Sequence, residues 1–165
     1  MHPRRRPPLR RARAAGGHAM SPVLQTVALS ATVVFVCEHG SVKSVIASEW
    51  FNRTAGERGL AARAVSRGVR PEGPVPPAIA ERLRLDGIDV RGFEPRALAP
   101  ADLEGASRVL MIGVEPPAWV GRAGVPVDRW DGIPPATERY EAARDALRSR
   151  IEALIDSLKA KAPKR

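Results

Sequence analysis

Apolar positions from residue 32 onward alternate between short β-rich runs and longer stretches with helical spacing. The strongest unbroken run is Val33-Val34-Phe35-Val36 within residues 32–36. Residues 61–66, 108–112 and 125–130 are similar in length and are bounded by Gly, Pro or charged residues. Runs of this kind predict strands, and the central ones read as buried on both faces. Between them, residues 41–58 set Val42, Val45, Ile46, Ala47 and Trp50 at helical spacing, and residues 76–85 open on prolines suited to a helix start. Gly59 and Gly87 supply the stops. The last helix, 137–161, carries Tyr140, Leu147, Ile151, Leu154, Ile155 and Leu158 on one stripe opposite arginines and acids, so it should pack along the sheet. Strands alternating with helices imply an α/β domain with a mainly parallel sheet.

Prolines and glycines cluster at 68–77, 115–124 and 132–135, all between elements. Loops at the carboxyl ends of parallel strands usually form the ligand crevice. There is no internal repeat. The 165 residues suit one domain with tails: a leader at 1–30, the α/β domain at 31–160 and a basic tail at 161–165. A hydrophobic fraction of 44% is enough for a packed core and excludes a wholly disordered chain. The single cysteine excludes an intrachain disulfide framework and any four-cysteine zinc site.

Charge changes the picture only at one end. Arg4, Arg5, Arg6, Arg10, Arg11 and Arg13 lie in a stretch without one acid, and removing these six lowers the formal net charge from +9 to +3. The basic balance belongs to an arm and not to the domain, so nucleic acid is not an expected partner. Arginines followed by the apolar stretch 22–30 have the outline of a secretory signal, although Gln25 and Ser30 interrupt it. No run of about 18 apolar residues exists for a transmembrane helix. Met20 offers a second start that would remove the arm. The expectation is a disordered or misassigned leader on a cytoplasmic domain, with export as the alternative.

The chemistry sits in residues 33–47. A buried strand ends at Cys37, a turn containing Gly40 follows, and a helix begins. Such a turn aims consecutive backbone N–H groups and the positive end of a helix dipole at one spot beside a thiol, and that spot suits a tetrahedral oxyanion. The same field favours thiolate and makes Cys37 a nucleophile. Glu38, His39, Gly40, Ser41, Val42, Lys43 and Ser44 would form the oxyanion-binding segment. Cys37 and His39 supply at most half a metal site, since His2 and His18 lie in the leader; neither metal nor cofactor is expected.

This run resembles the phosphate-binding loop of the low-molecular-weight protein tyrosine phosphatases and the related thioredoxin-coupled arsenate reductases, whose pattern is Cys, five residues, Arg, then Ser or Thr. The likeness covers about residues 32–158. It implies a three-layer, flavodoxin-like α/β fold with a central four-stranded parallel sheet flanked by helices. By this resemblance Cys37 is the nucleophile, Ser44 is the hydroxyl that supports the thiolate, and Gly40 takes a left-handed position usually held by Asn. Residues 64–68 look like the family's second strand, and 130–135 look like its acid loop.

Three departures matter. Lys43 stands where the family has arginine, and a lysine offers one hydrated point charge in place of a planar fork. Glu38 puts a carboxylate directly after the nucleophile, where it repels a dianion unless it points away. The family's general acid is an Asp before a Pro, and Pro134 holds that position with Pro135 behind it. Asp131 is the substitute this reading selects, followed by Asp128 and His39. The expected activity is cysteine-dependent hydrolysis of phosphate monoesters, phosphotyrosine-like ones among them, through a phosphocysteine. Arsenate reduction with an external thiol and non-catalytic oxyanion binding are the alternatives. The expected partner is a phosphorylated protein or a small oxyanion.

Overall fold

The computed structural model describes residues 31–161. The expectations for the leader, and for 162–165 of the tail, fall outside the described residues. The elements run β1 (Ala31–Cys37), α1 (Lys43–Glu57), β2 (Ala62–Gly68), α2 (Pro77–Leu85), α3 (Pro100–Leu103), β3 (Arg108–Ile112), α4 (Ala118–Gly121), β4 (Val127–Trp130) and α5 (Tyr140–Lys161). The four strands are parallel in the order β2-β1-β3-β4. β1 is therefore interior, which suits an apolar run, and Val33, Val34, Phe35 and Val36 are all fully buried.

Alternation along the strands divides the core into two layers. Val33, Phe35, Leu110, Ile112 and Trp130 face α1, α2 and α5; Val34, Val36, Val109 and Met111 face the other way, against Leu103 of α3 and Val120 of α4. The fold is thus the three-layer α/β arrangement the sequence implied. The α5 stripe is buried over its whole length, from Tyr140 to Leu158, and packs beside α1. Lys159 and Lys161 close its last turn, where cations suit the helix dipole.

Boundaries move where backbone donors run out or are taken. β4 begins at Val127 and not at 125, because Pro126 has no N–H for the ladder. α1 begins at Lys43 and α5 at Tyr140, two and three residues later than the spacing suggested, since 38–42 form bends and 136–138 form a turn in which Glu138 and Arg139 both donate to the Pro135 carbonyl. β2 continues to Gly68, two residues further than expected, because Arg67 and Gly68 pair with Val36 and Cys37. The helices α3 and α4, four residues each, are too short to show a period.

That last pairing sets Gly68 beside Cys37, and the loop after Cys37 folds back over it. Gly40 sits at φ +66°, and a Cβ there would lie 2.7 Å from the Gly68 nitrogen; a Cβ on Gly68 would lie 2.7 Å from the His39 carbonyl carbon. Backbone meets backbone, so neither neighbour is a flexible side chain that could yield. We expect Gly68→Ala to cost about 1–3 kcal/mol by overpacking. Gly40→Ala should cost more, since it adds about 1–2 kcal/mol for a left-handed Cβ residue. Urea unfolding midpoints of the two variants against the parent check both the size and the order.

Candidate active site

Three elements converge at the carboxyl edge of the sheet. β1 delivers Cys37, the bends at 38–42 lead into α1, and β3 ends at Ile112 before the left-handed Gly113, at φ +62°. A cleft of about 250 Å³ opens there, floored by the segment from Cys37 to Lys43 with Ile112 and Gly113, and roofed by Pro135, Ala136 and Thr137. The first-turn N–H groups of α1 have no intrahelical partner, no side chain caps them, and no acid sits in that turn. They are free to take an anion.

The thiol is buried and held by a chain of hydroxyls. Cys37 Sγ lies 3.1 Å from Ser44 Oγ, and Ser66 Oγ lies 2.7 Å from Ser44 Oγ. Ser66 Oγ is also 3.5 Å from the Gly40 carbonyl. A hydroxyl has one proton, and the shorter contact takes it. Ser66 therefore donates to Ser44, which frees the Ser44 proton for sulfur. Both serines are buried, so water does not compete for these bonds.

Lys43 is half-buried and lines the cleft, with its ammonium beside Gly113: a Cβ on that glycine would lie 3.6 Å from Nζ. Among the described residues it has no ion-pair or hydrogen-bond partner, so its charge is available to a ligand. Glu38 also lines the cleft, but its carboxylate is held by Arg70, whose Nε donates to Oε1 at 2.7 Å. The backbone ties the same two segments, Val69 N–H donating to the Cys37 carbonyl and Arg70 N–H to the Glu38 carbonyl. The pair offsets the repulsion of a dianion that Glu38 alone would exert. His39 is at the mouth, with Nδ1 3.3 Å from Glu72 Oε2.

The remaining acids stand elsewhere. Asp131 is exposed, pairs with Arg129 at 3.2 Å, and is not among the residues that line the cleft. Asp128 pairs with Arg108 at 2.7 Å. The structure thus brings Cys37, Glu38, His39, Ser41, Val42 and Lys43 together around the cleft, with Gly40 and Ser44 directly behind, and sets Asp131 apart. Spacing along the chain missed Ser66, Gly68, Arg70, Glu72 and the roof residue Thr137. Of these, only Ser66 and Gly68 carry a signal in the sequence, as part of residues 64–68 and their resemblance to the family's second strand. Among the described residues no group of three or more His, Cys, Asp or Glu could hold a metal ion, and no helix is long and apolar enough to cross a membrane.

A buried thiol backed by a hydroxyl, at a turn between a central parallel strand and a helix N-terminus, defines a cysteine-based oxyanion-handling protein of the α/β class. Residues 32–115 match the model of the low molecular weight phosphotyrosine protein phosphatase family. The chain belongs to that family. No curated protein sequence matches it. Among solved structures it is similar to a YwlE mutant from Bacillus subtilis, at 22% identity over 79% of this chain and 99% of that one, with a TM-score of 0.69. It is also similar to a low molecular weight protein tyrosine phosphatase from T. tengcongensis, at 25% identity over 78% and 99%, TM-score 0.61. An arsenate reductase from Archaeoglobus fulgidus, at 24% identity over 75% and 98%, TM-score 0.59, shares the fold as well.

The hydroxyl chain makes a prediction about the thiol. Iodoacetamide should alkylate Cys37 at neutral pH, and phosphate or vanadate should protect it. Ser44→Ala removes a hydrogen bond to a charged sulfur, a loss that corresponds to about tenfold or more in thiolate stability, and should slow alkylation accordingly. Ser66→Ala should slow it by less. Alkylation rates for the three proteins, with and without vanadate, decide the matter.

Proposed function

We propose that the protein hydrolyses phosphate monoesters through a phosphocysteine on Cys37. The observation that carries this reading is the 3.1 Å contact between Cys37 Sγ and Ser44 Oγ at the turn between β1 and α1. Family membership supports phosphatase-like chemistry at the level of the superfamily. In the first step the Cys37 thiolate attacks phosphorus, the ester P–O bond breaks, and the leaving oxygen takes a proton. In the second, water attacks phosphorus, the P–S bond breaks, and sulfur departs as thiolate toward the Ser44 proton. The α1 N–H groups and Lys43 meet the equatorial oxygens, where charge must be held in both transition states.

The cleft bears on the substrate. Its larger apolar lining residues are Val42, Ile112 and Pro135, with Ala136 beside them, and no aromatic side chain is among the lining residues. At about 250 Å³ it accommodates a phosphoryl group and the first part of an apolar or aryl alcohol, a phosphotyrosine-like ester included. Arsenate reduction shares the first attack on a tetrahedral oxyanion. With one cysteine in the sequence, however, an internal disulfide relay is not available, and an external thiol must complete that cycle.

The parent protein should hydrolyse nitrophenyl phosphate, and Cys37→Ser should abolish turnover while vanadate still binds. Lys43→Arg, which restores a two-pronged donor, should raise kcat by about tenfold. Lys43→Ala should lower it by about 10²-fold, the usual effect of losing one transition-state donor. Steady-state kinetics on the four proteins, with arsenate and several thiols assayed beside them, separates hydrolysis from reduction. A large loss in Lys43→Arg would mark the loop as built around lysine for a bound anion, without turnover.

A further inference from the structure

The geometry points to His39, held by Glu72, as the proton donor to the leaving group, a role that rests on the phosphatase reading above. The residues lining the cleft contain four titratable side chains: Cys37, Glu38, His39 and Lys43. Cys37 is the nucleophile. Lys43 lies at the floor beside Gly113, where it meets the phosphoryl oxygens. Glu38 is occupied as an acceptor by Arg70. The roof offers Pro135, Ala136 and Thr137, and an aliphatic hydroxyl is too weak an acid for this work. Asp131, the acid nearest in the chain to the position of Pro134, is turned to Arg129.

His39 remains, and its surroundings suit the task. Glu72, on the loop between β2 and α2, faces Nδ1 at 3.3 Å, which orients the ring and leaves Nε2 without a hydrogen-bond partner among the described residues. The charged groups around it are Glu38 and Cys37 on its own loop, Lys43 at the start of α1, and Arg70 and Glu72 from the segment after β2. The side chain is 49% exposed, so it stands at the mouth, the end from which a leaving alcohol departs. An imidazole exchanges protons near neutral pH. In the forward step the ester oxygen takes the Nε2 proton as its bond to phosphorus breaks, and neutral His39 results. In the second step the attacking water gives a proton to Nε2, phosphate leaves, and the starting state returns. Protons balance over the cycle, and Glu72 serves as a positioning residue.

The experiment compares phenyl phosphate, whose leaving group needs a proton, with nitrophenyl phosphate, which needs little help, in the parent, His39→Gln, Glu72→Gln and Asp131→Asn. His39→Gln is expected to lower kcat on phenyl phosphate by about 10²-fold or more and on nitrophenyl phosphate by less than about tenfold, with vanadate binding retained. Glu72→Gln should change the ratio of the two rates in the same direction by a smaller factor, a shift that loss of stability alone would not produce. Equal losses on both esters in His39→Gln, or no loss on either, overturn the assignment of His39 alone. So does a selective loss that appears in Asp131→Asn instead. If the parent turns over neither ester and forms no phosphocysteine in a quenched burst, the phosphatase reading itself falls and takes this one with it.

Discussion

The site depends on one close approach between two backbones. Gly68 is fixed from both sides of its strand: it pairs with Cys37, its N–H donates to the Arg96 carbonyl at 2.9 Å, and its carbonyl accepts from Leu98 N–H at 2.9 Å. The loop that carries His39 and Gly40 rests against this rigid edge with no room for a Cβ on either partner. Because the loop is seated there, the Gly40 carbonyl reaches Ser66, α1 begins two residues after Ser41, and Ser44 faces the thiol. Strand register thus determines the chemistry. A shift of β2 by one residue would turn Ser66 to the opposite face of the sheet and break the hydroxyl chain.

Charge in the cleft follows from which groups are paired. Lys43 is the cleft cation without a partner among the described residues, and Glu38 is balanced by Arg70. That pair adds little stability, since the Arg70 side chain is 81% exposed and exposed pairs contribute about 0–1 kcal/mol. Its effect is on the cleft: the carboxylate next to Cys37 is countered by a neighbouring guanidinium. One unpaired lysine with a set of backbone donors would hold an anion by fixed dipoles more than by net charge, and such dipoles need no reorganisation when charge develops.

How much of this was legible in the chain depends on the range of the interaction. The strands and α5 were readable because their signals are local: a β-branched run for β1, an apolar stripe of about five turns for α5. Cys37, Gly40, Lys43 and Ser44 were readable together because strand, turn and helix follow one another within a dozen residues. Ser66 and Gly68 act across the pairing of β1 with β2, and no spacing in the sequence encodes which strand lies next to which. Arg70 and Glu72 sit among prolines and glycines in a loop whose path is set by that same pairing, so their partners Glu38 and His39 could not be named. Asp131 was selected by distance along the chain from Pro134. In the structure Arg129, two residues before it, takes its carboxylate, and Arg150 of α5 donates to its carbonyl at 2.7 Å, a contact across 19 residues that spacing does not encode.

The roof of the cleft shows why losing an acid there need not loosen the site. Ile133 and Ala136 are buried on either side of the Pro134-Pro135 pair, and the Pro135 carbonyl accepts two N–H groups that turn the chain into α5. At the start of that helix the Tyr140 hydroxyl donates to Asp86 at 2.8 Å, and Arg144 binds the same carboxylate at 3.2 Å. Burial, together with Asp86, pushes the Tyr140 phenol up from its ordinary value, so it keeps its proton and its bond throughout the neutral range. The roof is therefore held by packing and by a part-buried tether, independently of any carboxylate at its tip. A proline in place of an acid keeps the shape that covers the cleft and gives up only the proton, and a proton can be supplied from any wall within reach of the leaving atom. That separation of shape from acidity is what would allow the proposed donor to stand on the same loop as Cys37.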